Sequence, residues 1–249
     1  MTISDLIELY HLYGWRDFYG RIARRLTDRF VPQLSYAQAG EDAVIDFLFE
    51  GVSIYRPTYL ELGTNHPRMG NNTYKFYRKG GHGVLVEADP SLIKWIRQMR
   101  PRDIVLNVGV GTGEAQSANF YVFDASAINT FDAQEARLRQ QEGLRLKEVV
   151  RVPLKTVNAL IAEHFKKTPD LLSIDVEGLD LAILKTLDIQ KYPIPVICVE
   201  TCLYSTTHVK GRDTAIVQFM EAMGYFSYAD TFINTIFVNK EWFATVAKK

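Results

Sequence analysis

From residue 36 onward the chain alternates short apolar runs with helical stretches. The runs are Thr58–Leu62, Gly83–Glu87, Ile104–Val108, Leu171–Asp175, Val196–Glu200 and Asn234–Val238, and five of the six end on, or just before, Gly, Asp or Glu. Between them Asp42–Phe49, Leu92–Met99, Val157–Phe165, Leu179–Leu187 and Thr214–Met223 read as helices. Strands that alternate with helices predict a mostly parallel sheet covered on both faces. Near-continuous apolar strands such as VLVEAD and VICVE fit burial on both faces. Between residues 117 and 153 the alternation lapses. There SANFYVFD and VVRVPL read as two extra strands around a polar helix, Ala133–Leu146, which together form an insertion on the scaffold.

Before residue 30 the period is helical. Leu6, Tyr10 and Tyr13, and then Phe18, Ile22 and Leu26, recur at three- and four-residue steps, with Gly14 as a break between them. Arg16, Arg21, Arg24, Arg25 and Arg29 make the second half basic. The plain reading is an amphipathic helix packed on the main domain. A dimer contact and a membrane-surface contact are the sharper ones. The expected organisation is a helical extension over 1–34 and an α/β domain over 35–249.

Composition narrows the function classes. The 249 residues carry 29 Lys+Arg against 29 Asp+Glu, so formal charge is zero and no nucleic-acid partner is expected. No stretch approaches the ~20 apolar residues of a membrane span, and the N-terminus lacks the pattern of a signal peptide. Two cysteines, Cys198 and Cys202, are too few for a disulfide scaffold or for a zinc site of their own. A cytoplasmic location is expected.

The strand ends carry the chemistry, because ligands of open parallel sheets bind beyond the carboxyl ends of the strands. Those ends read Glu61-Leu62-Gly63-Thr64-Asn65-His66, Glu87-Ala88-Asp89-Pro90, Asn107-Val108-Gly109, Asp175-Val176-Glu177-Gly178 and Glu200-Thr201. An acid stands at four of these five ends, whereas Lys and Arg are absent from them. Gly63 lets the backbone approach a ligand. Glu87 stands where a carboxylate accepts hydrogen bonds from a ribose diol. Asp89 is a second candidate, although Asp-Pro also caps a helix well. The first turn lacks G-x-G-x-x-G and carries Glu61, which would repel a pyrophosphate but suit a cation. S-adenosylmethionine, with a sulfonium and an amino group and no phosphate, fits that turn. Gly109-Val-Gly111-Thr-Gly113 mimics a phosphate loop but leads into another strand, and reads as a glycine-rich turn.

Taken together, SYAQAGEDAVIDFLF, YLELGTNHPRMGNNT, YRKGGHGVLVEADP, LNVGVGTGE and LLSIDVEGLDLAILKTLD followed by VICVET resemble the FkbM family of S-adenosylmethionine-dependent methyltransferases, over roughly residues 35–240. Thr64 departs from the small residue usual in the family's first turn. The resemblance implies a Rossmann-like methyltransferase fold, a doubly wound, mostly parallel sheet of seven strands with the last antiparallel. It implies O-methylation, often of sugar hydroxyls in glycans, lipopolysaccharides or natural products. It also implies that Glu61, Gly63 and Asn65 line the methionine part, that Glu87 holds the ribose, and that Asn107 and Val108 border the adenine. Asp175 and Glu177 would face the transferring methyl. Gln38, Glu41 and Asp42 would fold over the cofactor, and Asn71, Asn72 and Thr73 would close the first loop.

A sugar hydroxyl is a weak nucleophile and needs a base or a metal. Asp175, Glu177 and Glu200 are the titratable candidates. Either Asp175 or Glu177 takes the proton directly, or Asp175 and Glu200 hold a divalent ion, their oxygen ligands suiting Mg²⁺. A nucleotide-dependent oxidoreductase and a non-catalytic cofactor-binding module are the competing readings. The expected partners are a small-molecule or carbohydrate acceptor and a second copy of the chain docked through the N-terminal helices.

Overall fold

A computed structural model describes residues 34–124, 128–176, 178–204 and 209–246. The predicted N-terminal helices, Glu177 and His208 lie outside the described residues.

Seven strands form the main sheet: β1 (Thr58–Leu62), β2 (His82–Val86), β3 (Ile104–Leu106), β7 (Leu171–Ile174), β8 (Val196–Glu200), β11 (Tyr225–Asp230) and β12 (Asn234–Asn239). Their order is β11-β12-β8-β7-β1-β2-β3. The five strands from β8 to β3 pair in parallel, while β12 runs antiparallel to both β8 and β11. The chain thus has the doubly wound α/β sheet expected of it, with its last strand reversed.

Alternation along each strand sorts the side chains into two cores. Leu60, Leu62, Val84, Val86, Leu172, Ile174, Ile197 and Val199 face α5 (Val157–His164), α6 (Asp180–Thr186) and α7 (Thr214–Ala222). Tyr59, Leu85, Leu171, Val196, Cys198 and Ile236 face α1 (Glu41–Gly51), α2 (Tyr74–Arg78) and α3 (Pro90–Met99). Both sets are buried, which is why the strands read as continuous apolar runs. A last helix, α8 (Lys240–Val246), follows β12. Helix α3 begins at Pro90 rather than at Leu92 because Asp89 caps it, its carboxylate accepting from the Ser91 backbone N–H at 2.8 Å.

Residues 117–155 form two strands and a helix, and the helix is shorter than expected because Leu146 already begins a strand. β5 (Ser117–Phe123) and β6 (Leu146–Lys155) pair antiparallel, and α4 (Ala133–Gln141) lies between them in the chain. A two-residue strand, β4 (Gly109–Val110), joins them by pairing in parallel with β6. So the glycine run enters a small sheet. A Cβ on Gly109 would stand 2.4 Å from the Phe131 ring. Phe120, Val122 and Val152 form its core, with Phe131 packed against them. Beyond β8, the short strands β9 (Cys202–Tyr204) and β10 (Val209–Arg212) form a separate pair.

Candidate functional site

The carboxyl ends of β1, β2 and β7 open into a cleft of about 820 Å³, part of it open to solvent. Gly63, Asn65, Glu87, Val108 and Asp175 line it, and Gln38 lies at its edge from the segment before α1. The small sheet closes the other side with Phe120, Asn129, Thr130 and Phe131.

The first turn lies flat across its neighbours. Gly63 and Thr64 donate backbone N–H groups to the Val86 carbonyl at 3.0 and 3.2 Å, and Asp175 donates its own to the Leu62 carbonyl at 3.0 Å. Gly63 has φ +84°, and a Cβ there would sit 1.8 Å from the Asp175 carbonyl oxygen, so only glycine fits. Asn65 follows at φ +45°, a left-handed geometry that Asn tolerates.

That conformation aims the Asn65 N–H at Glu87 Oε2, 2.7 Å away. Glu87 Oε1 accepts from the Asp89 N–H, also at 2.7 Å. Each carboxylate oxygen thus holds one backbone donor and keeps lone-pair capacity toward the cleft. Burial pushes the Glu87 carboxyl above its ordinary range, against these hydrogen bonds.

Several predicted residues stand behind the cleft rather than in its wall. Asn107 donates to the carbonyls of Glu87 and Ala88 at 2.9 and 3.0 Å and so fixes the ribose-side turn. Asp89 caps α3 and accepts from Asn129 Nδ2 at 3.1 Å, which ties the small sheet to the β2 end. Glu61 has the parity of Tyr59 and points away from the cleft, toward α2 and α3. It is buried and accepts from Asn71 Nδ2 and from the Thr73 hydroxyl. Burial pushes the Glu61 carboxyl up to about 7, against the pull of the Arg100 guanidinium. Glu41 and Asp42 are also buried. Asp42 accepts from the Ser35 hydroxyl and the Tyr36 N–H at 2.6 and 2.7 Å, and Glu41 from the Ala39 N–H at 2.9 Å. Between them they pin the segment that carries Gln38.

Glu200 ends β8 opposite Asn234 and is not part of the cleft wall. His66 Nδ1 accepts from the Arg68 and Met69 N–H groups at 3.0 and 2.9 Å, a turn contact rather than a base position. Burial, aided by Arg68, lowers its pKa. Cys198 and Cys202 are buried free thiols, and burial pushes the Cys198 thiol well above its ordinary value. Among the described residues no three His, Cys, Asp or Glu side chains converge as a metal site.

Phe120, Asn129 and Thr130 were not anticipated. Their signal was the inward parity of Phe120 with Val122 and the polar Asn-Thr pair inside an apolar stretch. The cleft's polarity decides what suits it. Its walls hold the carboxylates of Glu87 and Asp175, and among the described residues no Lys, Arg or His. Such a wall disfavours a dinucleotide's pyrophosphate and suits a nucleoside with a cationic tail. The donor set therefore fits S-adenosylmethionine.

A model of the methyltransferase FkbM domain matches residues 61–227, well over half of the chain. The chain belongs to the FkbM methyltransferase family. It is an S-adenosylmethionine-dependent methyltransferase, and the oxidoreductase reading gives way. No curated protein matches this FkbM methyltransferase. Similar solved structures include a TehB-like SAM-dependent methyltransferase from Corynebacterium glutamicum ATCC 13032 Kitasato, at 10% identity, covering 90% of this chain and 97% of that one, with a TM-score of 0.42. Another is a putative caffeoyl-CoA O-methyltransferase from Staphylococcus aureus, at 13% identity, 95% and 98% coverage and a TM-score of 0.42. A third is an O-methyltransferase from Bacillus cereus in complex with SAH, at 13% identity, 96% and 90% coverage and a TM-score of 0.40. Among the described residues of the FkbM methyltransferase, no helix is long and apolar enough to cross a membrane.

Proposed function

We propose that this methyltransferase acts on oxygen, at a hydroxyl of a sugar in a glycan, lipopolysaccharide or natural product. The observation that carries the reading is Asp175. A carboxylate at the end of β7, in the cleft wall and against the Gly63 turn, is what an alcohol acceptor requires. An alcohol gives up its proton poorly at neutral pH, and a positioned base typically contributes 10²–10⁴-fold. The sugar rests on the family resemblance.

In this reading Glu87 accepts the ribose hydroxyls, Gly63 and Asn65 pass along the methionine part, and Val108 borders the adenine. Gln38 covers the cofactor from the α1 side. Glu61, Thr73, Asp89 and Asn107 hold these groups from behind. When bound, S-adenosylmethionine supplies a methyl group already activated on a sulfonium. The protein's task is then to align the acceptor oxygen and to take its proton on Asp175.

The test is calorimetric titration with S-adenosylhomocysteine and NAD⁺, followed by turnover on sugar acceptors. Wild type is expected to bind the first ligand alone. Glu87→Gln weakens that binding 10–100-fold, the range of hydrogen bonds to a charged group. Asp175→Asn keeps the binding and loses turnover at least a hundredfold. An Asp175 variant with unchanged turnover defeats the assignment of the base.

A further inference from the structure

Asp175, at the end of β7, and Glu87, just past the end of β2, set the direction of a cofactor along the cleft. The strands follow one another as β7-β1-β2-β3. A ligand with its methyl group at Asp175 and its ribose at Glu87 therefore carries its base onward to the end of β3. The small sheet stands there, because the chain leaves β3 through Asn107 and Val108 and enters β4 at Gly109. The cleft wall beyond Val108 is formed by Gly109, Val110, Phe120 and Phe131 and is apolar. An adenine ring is flat and aromatic, and gains most against an apolar wall that includes an aromatic ring.

Phe131 is built into this wall. Its ring packs on Phe120, with centroids 4.6 Å apart and planes inclined at 48°. The tip of the ring reaches the backbone of Gly109, where a Cβ would stand 2.4 Å from Phe131 Cζ. Gly109 lacks the positive φ that calls for glycine, so its missing side chain makes room for the ring. The segment that carries Phe131 is tied down on both sides of the cleft wall. Thr130 exchanges backbone hydrogen bonds with Tyr121 of β5, at 3.2 and 2.8 Å. Asn129 Oδ1 accepts from the Phe123 N–H at 2.8 Å, and its Nδ2 donates to Asp89 Oδ2 at 3.1 Å. Asp89 in turn donates its N–H to Glu87 Oε1 at 2.7 Å. The base and sugar sides of a nucleoside pocket must keep a fixed spacing, and this chain of hydrogen bonds sets it.

We propose that Phe131 is the base-stacking residue of this methyltransferase, its ring lying against the adenine of S-adenosylmethionine, and that the small sheet of β4, β5 and β6 is a cofactor-binding element rather than part of the acceptor pocket. The acceptor then approaches from the β7 side of the cleft, where Asp175 stands. The inference rests on the proposed placement of the ribose at Glu87 and of the methyl group at Asp175.

Isotope-filtered NOE spectra of the full chain, carbon-13-labelled at phenylalanine and saturated with unlabelled S-adenosylhomocysteine, test it. One phenylalanine ring is expected to show contacts to the adenine H2 or H8 proton, and the same ring is identified as Phe131 by its contacts to the Gly109 Hα protons. Phe131→Leu keeps an apolar side chain but removes the aromatic face. It abolishes those contacts and weakens S-adenosylhomocysteine at least about fivefold in calorimetry, the lower end of what base stacking on an aromatic side chain contributes. A wild type that binds S-adenosylhomocysteine without contact between Phe131 and the base overturns the proposal, and this spectrum decides the matter even where the variant does not fold. A folded Phe131→Leu protein in which the base contacts persist, or the affinity is unchanged, overturns it as well. A wild type that fails to bind S-adenosylhomocysteine overturns the cofactor site itself, and the base wall with it.

Discussion

Consecutive asparagines serve two different buried polar clusters on the same face of the sheet. Asn71 belongs to the cluster around Arg100. Its Oδ1 accepts from the Thr73 and Tyr74 N–H groups at 3.1 and 2.8 Å, and its Nδ2 donates to Glu61 and to the His66 carbonyl. Arg100 is fully buried and uses its whole fork: Asp103 at 2.7 Å, the Pro67 carbonyl at 3.1 Å, Tyr59 Oη at 3.1 Å and Thr73 Oγ1 at 2.9 Å. The Tyr77 ring covers it, 4.7 Å from its carbon to the ring centroid. Every polar group there has a partner. Asn72, the next residue, ends in an oxygen with none. A satisfied network is a structural device that holds the 63–73 turn against the cleft. A partly satisfied one contributes less to that hold.

The sharpest way to break this contrast is to open the closed cluster. Arg100→Met removes the fork and leaves Asp103 and Glu61 buried without their cation. Truncating one partner of a buried pair costs about 3–5 kcal/mol. The melting temperature is expected to fall on the order of 10 °C, since each kcal/mol moves a domain of this size by roughly 2–4 °C. A fall of only a degree or two in thermal unfolding would show that Arg100 carries no such burden.

Glu61 gives the next largest effect, and its sign follows from linkage. Its carboxyl, near 4.5 when exposed, is pushed up to about 7 in the fold, chiefly by burial. The folded protein therefore binds this proton more tightly than the unfolded chain does. The stabilising contribution is complete below about pH 4.5 and is lost as pH rises through about 7. Urea unfolding at pH 5 and pH 8 should show wild type less stable at the higher pH through this group. In Glu61→Gln that difference shrinks by roughly 1–3 kcal/mol, as each pKa unit is worth about 1.4 kcal/mol. An unchanged difference would place the proton elsewhere.

How far the sequence reached depends on the range of the forces involved. Strands β1 and β8 end where their apolar runs end, because each is buried on both faces and the run is the signal. Gly63, Asn65, Glu87, Val108 and Asp175 stand in the cleft as positions at strand ends should. Glu61 does not, although its place in the chain suggests it, because strand parity turns it toward the helices with Tyr59. Asp89 and Asn107 are likewise spent on capping and on carbonyls. Arg100 was illegible in the sequence. Its one local partner is Asp103, and its others lie at Tyr59, Pro67, Asn71 and Thr73, far away in the chain. The turn conformation of Phe232, at φ +74° between β11 and β12, was illegible for another reason, since positive φ at a non-glycine leaves no mark in composition or periodicity.

Thr73→Val probes the closed cluster more gently. It deletes the hydroxyl that donates to Glu61 and accepts from Arg100, with little change in shape. Two buried polar atoms each lose a partner, and about 1–3 kcal/mol is expected in chemical unfolding.

The smallest expected effect is the most discriminating, because it comes from the residue next in the chain. Asn72→Ala removes the contacts to Ser173 Oγ and Cys198 Sγ but also removes an amide oxygen that has no donor. The two terms oppose each other, and the loss in chemical unfolding should be about 1 kcal/mol or less. A loss as large as that of Thr73→Val would mean that the Asn72 oxygen is already satisfied, and the two clusters would then be alike. A small loss instead separates a closed cluster that holds the 63–73 turn from a neighbouring one that adds little to stability.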